Sequence, residues 1–198
     1  MYTVYTDGAC RNNQEENNFG GWGVVMLDEE DNIIYQDYGS AVNTTNNIME
    51  LKAMLEALKM INSNNVPVKV VYSDSAYVVN GVNEWLPNWN MRGWVNSKKQ
   101  PVKNKEYWQM INEELPDFAT FTIEKVKGHS GNFGNDLADD LANQGADLAE
   151  ENFKRIQEKP NILGNRKLNK LSKVLKEKEK EHDKDWWKLS SNWESTFC

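Results

Sequence analysis

Histidine and cysteine are scarce in this sequence. Two histidines, His129 and His182, exclude a histidine-built metal centre, and two cysteines, Cys10 and Cys198, exclude a disulfide framework. A reducing, cytoplasmic setting is therefore expected. No apolar run approaches the roughly 20 residues of a membrane helix, and no basic-then-apolar leader precedes the first strand. Basic charge is short as well: the formal net charge of -7 argues against a general nucleic-acid binder. The deficit is uneven, however. Residues 1–150 hold 11 Lys+Arg against 22 Asp+Glu, whereas 151–198 hold 12 against 8. Inside the acidic part, Arg92, Lys98, Lys99, Lys103 and Lys105 form a strip with no acid among them.

What is present reads as alternating elements. Tyr2 to Tyr5 is rich in β-branched and aromatic residues, a strand ending on Asp7 and Gly8. The stretch from Arg11 to Phe19 is a polar loop. Gly20 to Leu27 and Ile33 to Val42 read as two further strands, paired antiparallel through the short acidic link 28–32. After Asn43 to Asn47, rich in capping residues, Ile48, Leu51, Met54, Leu55, Leu58 and Ile61 recur at helical spacing. Glu50 lies at the edge of that apolar arc, and this helix alone does not say whether it is a boundary residue or an inward-facing acid. Val66 to Tyr72 is a fourth strand, again followed by a carboxylate, Asp74. A helix through Tyr77, Val82 and Trp85 is expected to stop near Pro87, another to run from Lys105 to Leu115, and a fifth strand from Phe118 to Val126. Asn135 is expected to cap the last core helix, with Leu137, Leu141 and Leu148 facing inward and Asp139 beside them. The order predicts an α/β fold: a five-stranded mixed sheet flanked by helices.

Four carboxylates converge in this scheme: Asp7 and Asp74 at strand ends, Glu50 and Asp139 on helices. At ~4 Å, two unit charges repel by ~4 kcal/mol at an effective dielectric near 20, so such a cluster calls for a cation. Oxygen-only ligands suit Mg²⁺ or Mn²⁺. Two such ions ~3.5–4 Å apart are the usual means of driving water in line against a phosphodiester.

In Thr6-Asp7-Gly8-Ala9-Cys10, Thr45 to Leu51, Ser73 to Val78, Trp89 to Trp94, Lys99 to Asn104, and Lys127 to Gly131 with Asn135 to Ala142, the chain resembles type 1 ribonuclease H. The resemblance covers residues 1–150, leaving 151–198 as a helical, basic, Trp-containing extension. It implies a ribonuclease H-like fold and endonucleolytic hydrolysis of the RNA strand of RNA–DNA hybrids, leaving 5′-phosphate and 3′-hydroxyl ends. It also implies two Mg²⁺ ions, with Mn²⁺ able to substitute, held by Asp7, Glu50, Asp74 and Asp139, and a catalytic His129. Cys10, Asn13, Asn46 and Asn47 match residues on the RNA side. Thr45 and Asn104 match a DNA-phosphate pocket, beside a DNA-binding protrusion carrying Trp85, Arg92, Trp94, Lys98, Lys99 and Lys103. The chain departs from the family in its loop 11–19, in Ala76 where glutamine is common, and in Asn90-Met91 where cations are common.

A free-standing monomer with no N-terminal hybrid-binding domain is expected, with no membrane contact. In the extension, Leu168, Leu171, Val174 and Leu175 make an apolar stripe among lysines, and Trp186, Trp187, Trp193 and Phe197 could meet a protein partner. The competing readings are an integrase-like DNA nuclease of the same fold, a hybrid-binding module without catalysis, and a domain cut from a reverse transcriptase.

Overall fold

The computed structural model describes residues 1–11, 17–115 and 121–157. Asn13, the expected strand start at 118–120, and 158–198 with its apolar stripe and aromatic cluster lie outside the described residues. The chain divides into two units, Met1–Asn152 and Phe153–Cys198; the first is described here.

Five strands, β1 (Tyr2–Arg11), β2 (Phe19–Leu27), β3 (Ile33–Val42), β4 (Val68–Ser73) and β5 (Thr122–Lys125), form one mixed sheet in the order β3-β2-β1-β4-β5. β1 runs antiparallel to β2 and β2 to β3, while β1–β4 and β4–β5 are parallel. The β2–β3 turn is tied by Asp28, whose Oδ1 accepts the backbone N–H groups of Glu30 (3.0 Å) and Asn32 (2.8 Å).

Helix α1 (Asn46–Asn64) starts on Thr45, whose hydroxyl accepts the Ile48 N–H at 3.3 Å, and ends on left-handed Asn65. Leu51, Met54, Leu55, Leu58 and Ile61 are all buried, as the spacing predicts, and Ile48 is half-buried. Fully burying one such side chain is worth about 1.5–3 kcal/mol, so packing against the sheet holds this helix.

Helix α2 (Ala76–Asn80) does not stop at Pro87. It passes through a π-helical turn (Gly81–Trp85) into α3 (Leu86–Met91). Proline lacks an N–H and collides with the carbonyl four residues back. The wider turn, in which the Leu86 N–H reaches back to the Gly81 carbonyl, makes room for the ring. Helix α4 (Lys105–Glu114) follows and buries Trp108.

Helix α5 (Phe133–Gln157) also departs from expectation. Asn132, not Asn135, caps it: the Asn132 Oδ1 accepts the Asn135 N–H at 3.0 Å, and Asn135 is buried in the first turn. Its inner stripe is built from small residues, Gly134, Ala138, Ala142, Gly145, Ala146 and Ala149, plus Leu141, while Leu148 is exposed. The cause lies in β2. A Cβ on Gly21 would stand 2.1 Å from the Ala142 carbonyl oxygen, and one on Gly23 2.3 Å from that of Ala138. Helix backbone thus lies on strand backbone, and only small side chains fit between. Among the described residues no helix is long and apolar enough to cross a membrane.

Candidate active site

The parallel pairing of β1 with β4 ends at Thr6 opposite Ser73. The next residue of each chain is an aspartate, so Asp7 and Asp74 emerge side by side. Glu50 is brought to them by close contact between α1 and β1. A Cβ on Gly8 would lie 2.3 Å from the Glu50 nitrogen and 2.5 Å from the Met49 carbonyl carbon; a glycine there lets the first turn of α1 rest on the strand. Carboxylate oxygens of Asp7, Glu50 and Asp74 all fall within 4.8 Å of one another.

Asp139 stands beside this triangle rather than in it. Its Oδ1 accepts the Asn143 side-chain N–H at 3.0 Å, and its Oδ2 lies 3.7 Å from the His129 Nδ1. It is near enough for its charge to raise the pKa of both Asp7 and Asp74. His129 is exposed, in a left-handed conformation (φ 48) in a loop that also holds Gly128 and Gly131. Asn143 was not anticipated, although its position one helical turn after Asp139 is a legible signal.

The electrostatics are unfavourable without a cation. Burial, then the Asp74 charge, pushes the Asp7 pKa up to about 7, against the pull of a 2.7 Å hydrogen bond from the Gly8 N–H. Burial and the charges of Asp7 and Asp74 raise Glu50 well above the ordinary range. Burial raises Asp74, which His129 partly offsets. Glu50 Oε1 accepts from Asn46 Nδ2 at 3.3 Å, whereas the buried Oε2 has no hydrogen-bond partner. A hard divalent cation fits this set: every donor is oxygen, one buried oxygen lacks a partner, and positive charge relieves the repulsion.

The surrounding residues fall into two groups. Cys10, half-buried on β1, has its Sγ 3.9 Å from the Thr44 carbonyl oxygen, and Asn46 and Asn47 form the first turn of α1. Asn18, unforeseen, holds this corner, its Oδ1 accepting the Thr44 N–H at 2.6 Å. On the other side, Arg92, Lys98, Lys99 and Lys103 are exposed around the segment joining α3 to α4, and Trp94 is half-buried. Trp85 packs between Tyr77 and Trp89, at ring-centroid distances of 6.0 and 5.6 Å, and lines an open cleft of about 450 Å³ with Arg92 and Asn96. Asn104, left-handed at φ 58, does not use its side chain as a cap. Instead it donates to the Tyr77 hydroxyl at 3.3 Å, which also accepts the Trp108 Nε1–H at 3.0 Å.

The model of the RNase H family matches residues 1–147. Ribonuclease H of Clostridium botulinum is 45% identical over 151 residues, covering 73% of this chain and 94% of the relative. Ribonuclease HI of Pseudomonas aeruginosa is 42% identical over 144 residues, covering 72% and 90%. The solution structure of the PFV RNase H domain superposes with a TM-score of 0.66 at 32% identity, covering 74% of this chain and 94% of that one. A foamy viral protease-reverse transcriptase solved in complex with RNA/DNA hybrid gives a TM-score of 0.65 at 32% identity, over 73% of this chain and 20% of that one.

Proposed function

This chain belongs to the ribonuclease H family, type 1, and on that premise we propose that Asp7, Glu50, Asp74 and Asp139 hold the divalent cations with which it cleaves its substrate. The protein is an endoribonuclease that hydrolyses the RNA strand of RNA–DNA hybrids. The observation that carries the metal assignment is the triangle of carboxylate oxygens from Asp7 within β1, Asp74 just after β4 and Glu50 on α1. Cations there, two Mg²⁺ ions in this reading with Mn²⁺ as a substitute, would activate the attacking water and stabilise the leaving 3′ oxygen.

The chain's own residues do the rest. The Gly8 N–H fixes the Asp7 carboxylate and Asn46 orients that of Glu50. Asn143 holds Asp139 with one oxygen toward His129. The His129 ring carries a proton between the reacting oxygens and solvent, the role its exposed place beside Asp139 suits. The RNA strand lies along Cys10, Asn46 and Asn47, where 2′-hydroxyls distinguish it from DNA. The DNA strand follows the basic segment with Arg92, Trp94, Lys98, Lys99 and Lys103 and the Trp85 cleft, with Thr45 and Asn104 on a phosphate.

Incubation with hybrid, double-stranded RNA and duplex DNA, with and without Mg²⁺, tests this reading. Only the hybrid is cut, and only with the ion. Cleavage of duplex DNA would indicate an integrase-like enzyme, and hybrid binding without cleavage a silent module. Asp139→Asn should lower turnover on the order of a hundredfold, about 2.7 kcal/mol of barrier. Asp136→Asn should change it less than about threefold, since that acid, in the first turn, serves the helix dipole. The reverse order would remove Asp139 from the site.

The Tyr77 hydroxyl gives a further expectation. Tyr77→Phe takes away the acceptor that aims Asn104, a loss of about 1 kcal/mol per hydrogen bond. The hybrid KM should rise about three- to tenfold with kcat within about twofold. An equal fall in kcat at unchanged KM would show that Tyr77 acts on the chemistry instead.

A further inference from the structure

The far edge of the sheet from β5 carries a surface that hydrolysis does not use. β3 pairs with β2 alone among the described residues, so its outer row of backbone N–H and C=O groups faces outward. Edge strands are ordinarily blunted by lysine, proline or shortness. This one is ten residues long and has no lysine, arginine or proline. Four large apolar side chains along it, Ile33, Ile34, Tyr38 and Val42, are 40–47% exposed. Beside it, between β3 and α5, lies a cleft of about 270 Å³. Tyr38, Leu137 and Leu141 give the cleft apolar walls, while Gln36, Asp140 and Gln144 add polar groups.

Acidic charge dominates around this edge, although the N-terminal ammonium pairs with Glu29 at 2.7 Å. No lysine or arginine occurs from residue 12 to 51 or from 128 to 153, stretches that include β2, β3 and α5 as far as Phe153. Arg11, at the end of β1, is paired with Asp147. Asp28, Glu29, Glu30 and Asp31 stand at the start of β3, and Asp140 at the cleft. Phosphates are repelled from such a flank, so the hybrid belongs at the basic segment between α3 and α4. A second copy pairing β3 with β3 would face acid with acid, which is unfavourable across strands.

We propose that the β3 edge docks an extended basic segment of a partner protein, which adds a sixth strand to the sheet. The partner's backbone pairs with β3. Its alternate apolar side chains cover Tyr38 and Val42, and one lysine or arginine enters the cleft with its stem on Leu137 and Leu141 and its charge at Asp140.

The test uses the full chain and a labelled ten-residue peptide of alternating lysine and valine, read by fluorescence anisotropy and by amide hydrogen exchange. Binding with protection of β3 amides is expected, and the matching glutamate–valine peptide should not bind. The double variant Ile34→Lys with Tyr38→Lys, both exposed, should weaken peptide binding at least about tenfold. The proposal is overturned if the peptide fails to bind, if it binds the variant equally well, or if protection falls elsewhere. It is also overturned if sedimentation shows the wild-type chain, but not the variant, to be a dimer, which would give the edge to a second copy.

Discussion

Replacing Asp7 by asparagine is expected to lower hybrid cleavage on the order of a thousandfold or more, about 4 kcal/mol of barrier, while making the metal-free protein more stable at neutral pH. Both effects follow from one carboxylate. Burial and Asp74 raise its pKa from 3.8 to about 7 in the folded protein. Between those values the folded state holds a proton that the unfolded state has lost. Stability from this group is therefore complete below pH ~4 and is lost as pH rises through ~7, by on the order of 4 kcal/mol. Asparagine has no charge to lose and escapes that penalty. Melting curves in chelator from pH 4 to 8 should fall steeply for the wild type and more shallowly for Asp7→Asn. Added Mg²⁺ should restore the wild type at pH 8 through binding linkage and act less on the variant. Parallel melting curves in chelator would contradict the electrostatic account, and turnover within twofold of wild type would remove Asp7 from the machinery.

Gly8→Ala is expected to damage the protein nearly as much without touching a functional group. A methyl there meets backbone, at 2.3 Å from the Glu50 nitrogen, and backbone in a helix cannot swing aside as a side chain can. Forcing atoms into a filled contact costs about 1–3 kcal/mol, occasionally more, and the strain is relieved only by lifting the first turn of α1 from β1. That movement carries the Glu50 carboxylate away from Asp7 and Asp74. A melting temperature lowered by several degrees is expected, together with a tenfold or greater fall in turnover that higher Mg²⁺ partly reverses. Loss of stability at full turnover would mean that the strain is absorbed elsewhere and that Glu50 stays in place.

Much of this arrangement is legible in the residues. The β-rich run before Asp74 identifies the carboxyl end of β4, and the α1 stripe from Leu51 to Ile61 follows the helical period closely. The first strand, expected to end on Asp7, instead runs on to Arg11 because Gly8 to Arg11 keep pairing with β2. What is not legible depends on contacts between distant segments. Glu50 alone is ambiguous, and only the glycine on β1 beneath it decides its direction. Leu148 draws the eye to the wrong face of α5, because the inner face is set by Gly21 and Gly23 of another strand. Pro87 reads as a stop because helix-breaking is a local rule, whereas the π turn that absorbs it also depends on Gly81. A Cβ there would lie 2.0 Å from the Trp108 ring. The basic segment is visible as charge, but the pairing of Asn104 with Tyr77 joins residues 27 positions apart.

The pairing of β1 with β4 also governs when the enzyme comes into being. β2 and β3 close as a local hairpin, an event of microseconds. β1, however, finds its parallel neighbour across more than sixty residues, as Tyr2 meets Val68, and such non-local closure is slow. The acids at 7, 50, 74 and 139 arrive from four separate stretches of chain, the last from α5. On the proposed assignment of these acids, a nascent chain is expected to stay inert until α5 is available to pack against β2.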